Sequence, residues 1–236
     1  MSGIGLLFGV EIDGERKDLF GSLDSAKQLQ ATVIAEGGTA VIFEAEIEAR
    51  TREVASRELM RLGVQYYAAA RWSAWAALLP VSGNLYHHAL EVLLKAGLSR
   101  KYYSNDLRDK FRHNLPKLWN EFKAEYQAAR LDRFDATIDE VADFAEVRYP
   151  DRVIKHGAQM MAGFRGMTGP VQIGGSQLRP EPEYNFYFDE IDRLIGKIFT
   201  VCRKNPLFFT SGLKPDVQDM LAQDNPVATQ LLMHRG

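Results

Sequence analysis

The sequence predicts a mostly α-helical protein, a helical bundle carrying a small N-terminal α+β unit of ββαβ form. Three observations predict it. Apolar residues recur at intervals of three and four over most of residues 51 to 203, the spacing of one helix face. Residues 4 to 48 instead show strand-like runs on either side of a single helical stretch. Glycine and proline crowd into 155–182, and prolines break the chain again after 205. The chain therefore divides into a small α+β unit at 1–50, a bundle at 51–204 that contains a glycine-rich loop at 155–182, and a C-terminal extension at 205–236.

Each element has its own signal. LLFGVEI is strand-like and ends in Asp13-Gly14, a hairpin turn pair, with a return strand through KDLFG. Ser22 to Glu36 places Leu23, Ala26, Leu29, Val33 and Ile34 at helical spacing, and Gly37-Gly38 closes it. TAVIFEAEIEA alternates and reads as a half-buried strand. Thr51 to Leu79 is helical, with Val54, Leu62, Tyr66, Ala70, Trp75 and Leu78 near one stripe and Pro80 as the stop. Asn84 to Leu98 follows, its apolar face made of Leu85, Ala89, Val92 and Ala96. A third bundle helix runs from Asn114 with Pro116 in its first turn, where proline is tolerated. A fourth opens on Thr137-x-x-Glu140, a capping-box pattern, and stops at Pro150. After the glycine-rich loop, Tyr184 to Arg203 carries Phe188, Ile191, Ile195, Ile198 and Cys202 at intervals of three and four. The tail holds one short helix. The predicted core includes Trp75, Val92, Trp119, Phe144 and Ile195.

Composition excludes several classes. The chain has 236 residues, enough to bury a substantial core. With 29 basic and 31 acidic side chains the net charge is -2, so no global field recruits nucleic acid or anionic membrane. The single cysteine, Cys202, leaves no intramolecular disulfide and no cysteine zinc site, and suits a reducing cytoplasm. No basic segment precedes the apolar start MSGIGLLFGVEID, which argues against a signal peptide. No run approaches the roughly 18 apolar residues of a membrane span. Neither a Walker loop, a nucleophile elbow nor a dinucleotide fingerprint is present, and no cofactor is implied. The helix Tyr184–Arg203, with Phe186 and Tyr187, carries more apolar surface than one core contact needs, which predicts a homodimer.

Two polar groupings stand out. In YHHALEVLLKAGL, His87 or His88 shares a helix face with Glu91 and Lys95. Glu91 there can fix an imidazole tautomer for proton transfer; the commoner use of such residues is an i,i+4 pair at a bundle rim. Adjacent histidines project about 100° apart, so no metal site is expected. In RDKFRH, His113 is a candidate general base and Arg108 a candidate phosphate clamp, with Lys110 and Arg112 able to position a phosphate backbone. The default for such a string is a solvated basic loop before a helix. His156 and His234 have no identifiable partners.

Residues 60 to 200 resemble the HEPN superfamily of prokaryotic helical-bundle proteins. The carriers are LYHHALEVLLKAGL, HNLPKLW and VADFAEVRYPD, in the family's order. The resemblance implies a bundle, often dimeric, in a family that includes RNA-cleaving toxins and defence proteins. Its active members place an arginine four to six residues before a histidine, and Arg108, Asp109 and His113 match that string. The active motif of the family lies near the start of a later core helix, however, and His113 occupies the His-Asn/Asp-Leu slot of members without evident catalysis. The sequence therefore favours a non-catalytic binding or interaction module for a nucleotide, RNA or partner protein, in prokaryotic defence or stress. The alternative is a metal-independent ribonuclease of toxin type using Arg108 and His113.

Overall fold

The computed structural model describes residues 8–13, 15–20, 23–43, 45–148, 151, 154–155, 159–165 and 183–232. The chain separates into two compact units, Met1–Ala55 and Ser56–Gly236. Most of it is helical.

The first unit is the ββαβ arrangement. Strands β1 (Phe8–Ile12) and β2 (Glu15–Phe20) form an antiparallel hairpin, and β3 (Ala40–Phe43) pairs antiparallel with the other edge of β1. Ile12 faces Glu15 across a two-residue turn, and Asp13 sits at φ 50, the left-handed conformation such a turn needs. Gly14 lies outside the described residues. Asp13 Oδ1 also accepts from the Thr39 backbone N–H and hydroxyl, both at 3.0 Å, which ties the turn to the start of β3. Helix α1 (Leu23–Ala35) covers the sheet, with Leu29 and Val33 packed against Val10 and Ala40. Gly37, at φ 82, ends it. The third strand is shorter than its alternation suggests. It stops at Phe43, and helix α2 (Ala45–Trp75) takes over the Ala-Glu-Ile-Glu-Ala-Arg run, whose residues are mostly strong helix formers.

The second unit is built around α3 (Leu79–Leu98), which packs against α5 (Leu115–Glu125), α6 (Asp135–Val147) and α7 (Phe188–Val201). Surrounded in this way, α3 buries residues on nearly every side, from Tyr86, Leu90 and Leu94 to His87 and Glu91. It begins five residues earlier than Asn84, because Pro80 occupies its first turn. The approach of α6 is close: a Cβ on Gly83 would stand 1.9 Å from the Phe144 ring. Between α3 and α5, the expected basic loop is a short helix, α4 (Ser104–Phe111).

Several expectations are corrected. The buried stripe of α2 runs through Ser56, Met60, Val64, Tyr67, Arg71 and Ala74, while Leu62, Trp75 and Leu78 are exposed. Of the predicted core, Trp119, Phe144 and Ile195 are buried, Val92 is half-buried, and Trp75 is 40% exposed. Helix α6 starts at Asp135, with no side-chain cap and with Thr137 already buried inside it. Residues 184–187 are not helical: β5 (Glu183–Tyr187) pairs parallel with β4 (Gln159–Gly163). Tyr184 and Phe186 point into the core, and Phe186 contacts Tyr86, Phe144 and Phe188. The apolar surplus that suggested a dimer is thus largely absorbed within one chain. The tail is no appendage either. Helices α8 (Leu207–Thr210), α9 (Pro215–Ala222) and α10 (Ala228–Leu231) bring Phe209, Leu221 and Leu231 into the main core. Among the described residues, no helix is long and apolar enough to cross a membrane.

Candidate functional site

The polar residues of α3 converge on Glu91. Its side chain is only 5% exposed, and a buried carboxylate is costly unless it is paired. Lys95, one turn on, donates to Oε1 at 2.6 Å. His113, from the turn between α4 and α5, places Nδ1 3.1 Å from Oε2. His88 Nδ1 and His87 Nε2 lie 3.7 and 3.9 Å from the same oxygen. Burial alone would raise the Glu91 carboxyl, but the hydrogen bonds from Lys95 and His113 outweigh it and hold it below the usual range. The group is therefore ionised at neutral pH.

The local fold explains the convergence. Asn114 caps α5 by accepting from the Lys117 N–H at 2.8 Å, and Arg112, at φ 48, turns the chain just before it. Lys95 Nζ also donates to the Arg112 carbonyl at 2.9 Å. Glu91 and Lys95 together hold this turn at two points, one through the His113 ring and one through the Arg112 backbone. His113 stays 62% exposed. Because a carboxylate can only accept, Nδ1 is the donor in this bond, and Nε2 is left facing away from the carboxylate.

Behind His113 lies a second layer. His87 is buried, with Nδ1 3.4 Å from the Val141 carbonyl of α6 and Nε2 without a hydrogen-bond partner among the described residues. His88 stacks on Tyr66 at 5.5 Å and meets His113 edge-on at 6.2 Å. Burial pushes both imidazoles below their ordinary value. Arg148, just past the end of α6, pushes each of them further down, and the Glu91 charge opposes that. The Arg148 guanidinium has Nε and Nη2 buried with no hydrogen-bond partner among the described residues.

The other sequence candidates stand apart. Arg108 is spread on the surface and pairs with its neighbour Asp109 at 2.8 Å rather than with His113. Lys110 donates to the Tyr102 hydroxyl at 2.7 Å and reaches Glu121 at 3.3 Å. The pairing of Arg108 with His113 is thus not formed, because α4 turns the arginine to solvent while Glu91 draws the histidine inward. His156 and His234 lie outside the described residues. Among the described residues, no group of three or more histidine, cysteine or acidic side chains is arranged to hold a metal.

A second polar locus has no counterpart in the sequence reading. Arg71 of α2 and Asp192 of α7, both fully buried, pair at 2.5 Å. Tyr67 donates to Asp192 at 2.6 Å, Asn225 donates to the Tyr67 hydroxyl at 2.9 Å, and Arg71 also donates to the Gln223 carbonyl. The Tyr86 hydroxyl, buried within reach of the pair's charges, has no hydrogen-bond partner among the described residues. Burial pushes the Asp192 carboxyl up to about 6 against the lowering pull of Arg71 and Tyr67. The available signal was a single charge at core spacing on each of two apolar helix faces.

No family model, curated protein or solved structure matches this chain. The functional reading therefore rests on the two loci themselves.

Proposed function

We propose that the chain is a HEPN-like, non-catalytic binding module that takes a phosphate-bearing ligand, a nucleotide or single-stranded RNA, in prokaryotic defence or stress. The observation that carries this reading is Arg148. A half-buried guanidinium with two unpaired N–H-bearing nitrogens is costly as it stands, and an anion accepting from them would remove that cost. The three segments that carry the resemblance also meet here: His88 and Glu91 from α3, His113 in the turn before α5, and Arg148 just past the end of α6. With Lys95 on the Glu91 carboxylate and the Arg148 charge acting on both His87 and His88, the local charge favours an anion even though the whole chain is slightly acidic.

The test is binding of a labelled single-stranded RNA oligonucleotide and of ATP at low salt, read by fluorescence anisotropy and calorimetry. Arg148→Gln should weaken binding on the order of tenfold, consistent with the loss of a charge-assisted hydrogen bond. Arg108→Ala, by contrast, should change little. Binding that is absent, or unaffected by Arg148→Gln, refutes the reading.

A ribonuclease is the second reading, favoured by one observation, the Glu91–His113 pair that leaves Nε2 facing away from the carboxylate. In that case His113 takes the 2′-hydroxyl proton, the 2′-oxygen attacks phosphorus and the 5′-oxygen leaves. Arg148, not Arg108, would neutralise the phosphate. Cleavage in EDTA that yields 2′,3′-cyclic phosphate ends and is lost in His113→Ala would establish it. A homodimer also belongs to the proposal, now resting on exposed Trp72, Leu78 and Val81 near the α2–α3 corner rather than on Phe186. Light scattering at micromolar concentration tests it.

A further inference from the structure

A cavity of about 910 Å³ opens in the second unit where the end of α2, the end of β4, the start of α7 and the turn after α9 come together. Its volume is that of a small-molecule site, and its walls are of two kinds. Three aromatic rings form the apolar side. Trp75 stacks on Phe188 with centroids 5.6 Å apart and planes within 8°, and Phe164 approaches Phe188 at 5.2 Å and Trp75 at 6.5 Å. Trp75 remains 40% exposed, although it belongs to an otherwise well-packed aromatic cluster.

The polar side is acidic. The cavity is lined by Asp189, Asp224, Arg193 and Asn225 among others. Asp189 is already occupied: Arg193 donates to it at 2.6 Å and the Arg165 backbone N–H at 2.9 Å. Arg193 is in turn shared with Glu190 at 3.1 Å, so its charge is more than balanced. Asn225 is committed to Tyr67, Leu221 and Val227. Asp224 alone has no hydrogen-bond or ion-pair partner among the described residues. It is held at φ 47, exposed, in the turn between Gln223 and Asn225, and that turn is anchored beneath by the Arg71 bond to the Gln223 carbonyl.

Electron-rich ring faces beside an unpaired carboxylate are complementary to one kind of guest. Among the described residues the lining is net negative with no free cation to meet a phosphate or carboxylate, and a neutral hydrocarbon would leave Asp224 unanswered. We propose that this cavity binds a small organic cation, an amine or quaternary ammonium carried on an apolar body. The cationic end lies between the Trp75 face and Asp224, and the apolar body rests against Phe164 and Phe188. This site shares no residue with the Arg148 site, so the two can fail independently.

The test uses the full chain and three probes with a common benzyl body. Benzyltrimethylammonium is the cation, neopentylbenzene its uncharged isostere and phenylacetate the anion. Binding is followed by calorimetry and by the Trp75 indole resonance in nitrogen-correlated NMR spectra. Benzyltrimethylammonium should bind about tenfold more tightly than neopentylbenzene, the scale of a partly desolvated cation–π contact with an added carboxylate. Phenylacetate should not bind. Trp75→Ala should lose cation binding by about tenfold or more. Asp224→Asn, a surface change that leaves the fold intact, should reduce the preference for the cation to what the ring face alone provides, while leaving neopentylbenzene unaffected. Equal or tighter binding of the neutral or anionic probe overturns the proposal. So does a cation preference that is undiminished in Asp224→Asn, or no binding of the cation at millimolar concentration.

Discussion

Asp192→Asn is the most informative single change in the second unit. It keeps the side-chain volume but removes the charge that neutralises Arg71, which is 0% exposed. The guanidinium would retain the Gln223 carbonyl as a neutral acceptor. The asparagine amide would turn a donor toward either Arg71 or Tyr67, both of which already donate. Removing one partner of a buried ion pair costs about 3–5 kcal/mol, because the other charge stays buried and uncompensated. We expect a loss in that range. Replacing both partners, as in Arg71→Met with Asp192→Leu, removes the uncompensated charge and should return stability to within about 2 kcal/mol of the parent. The assay is urea unfolding followed by tryptophan fluorescence. All three tryptophans, at 72, 75 and 119, lie in Ser56–Gly236, so the signal reports on that unit. A loss below about 1 kcal/mol for Asp192→Asn, or a double variant less stable than the single, would refute the reasoning, since an effect that small is typical of exposed pairs.

Three further outcomes follow from the same geometry. Gly83→Ala puts a methyl group where the Phe144 ring stands, 1.9 Å from the new carbon, and should cost about 1–3 kcal/mol; Gly163→Ala, with nothing within 4 Å, gives the control in the same unfolding assay. Asn114→Ala removes the α5 cap and should cost about 1 kcal/mol, whereas Asn114→Asp should not, as thermal melts will show. Stability should also fall as pH drops from about 7 to 5: His87 and His88 are held below their unfolded value, so in that window the unfolded chain binds more protons and folding loses free energy. Asp192, raised to about 6, works in the opposite direction between about 4 and 6, and His88→Gln should flatten the decline measured by urea titration at each pH.

The fold was legible wherever local signals agreed. Asp13-Gly14 with flanking strands, the Gly37-Gly38 stop, and Asn114 followed by Pro116 each specify a backbone conformation directly, and the structure places a turn, a helix end and a capped helix there. Errors arose where two periods fit the same residues. Tyr184 and Phe188 are four apart, which serves a helix face and also every second residue of a strand. The intervening Phe186 decides it, because in β5 it faces the core alongside Tyr184. The α2 stripe was misplaced for a different reason. The true core face contains Ser56 and Arg71, and a pattern search that admits only apolar residues rotates the helix toward Leu62 and Trp75. Long-range pairing of Arg71 with Asp192 is what permits the charge, and nothing within α2 announces it.

The same logic governs what could be read of the site. Local spacing joins Arg108 to His113 because they are close in sequence, yet the structure separates their functions: one guanidinium is spent on Asp109 in solvent, and the imidazole is fixed to a carboxylate 22 residues earlier. The sharing of a face by His88, Glu91 and Lys95 was legible because a helix makes residues three and four apart neighbours. That Glu91 is buried was not, since its burial is imposed by α5 and α6 packing around α3. Burial changes the meaning of the residue. An exposed Glu91–Lys95 pair would contribute a few tenths of a kcal/mol and orient nothing. Enclosed, the same carboxylate must be satisfied from several directions, so it fixes the His113 ring and, through Lys95, the Arg112 backbone. The chemistry of the turn between α4 and α5 is thereby set by α3, and a substitution at Glu91 should disturb the His113 ring more than a substitution at Arg108, Asp109 or Lys110.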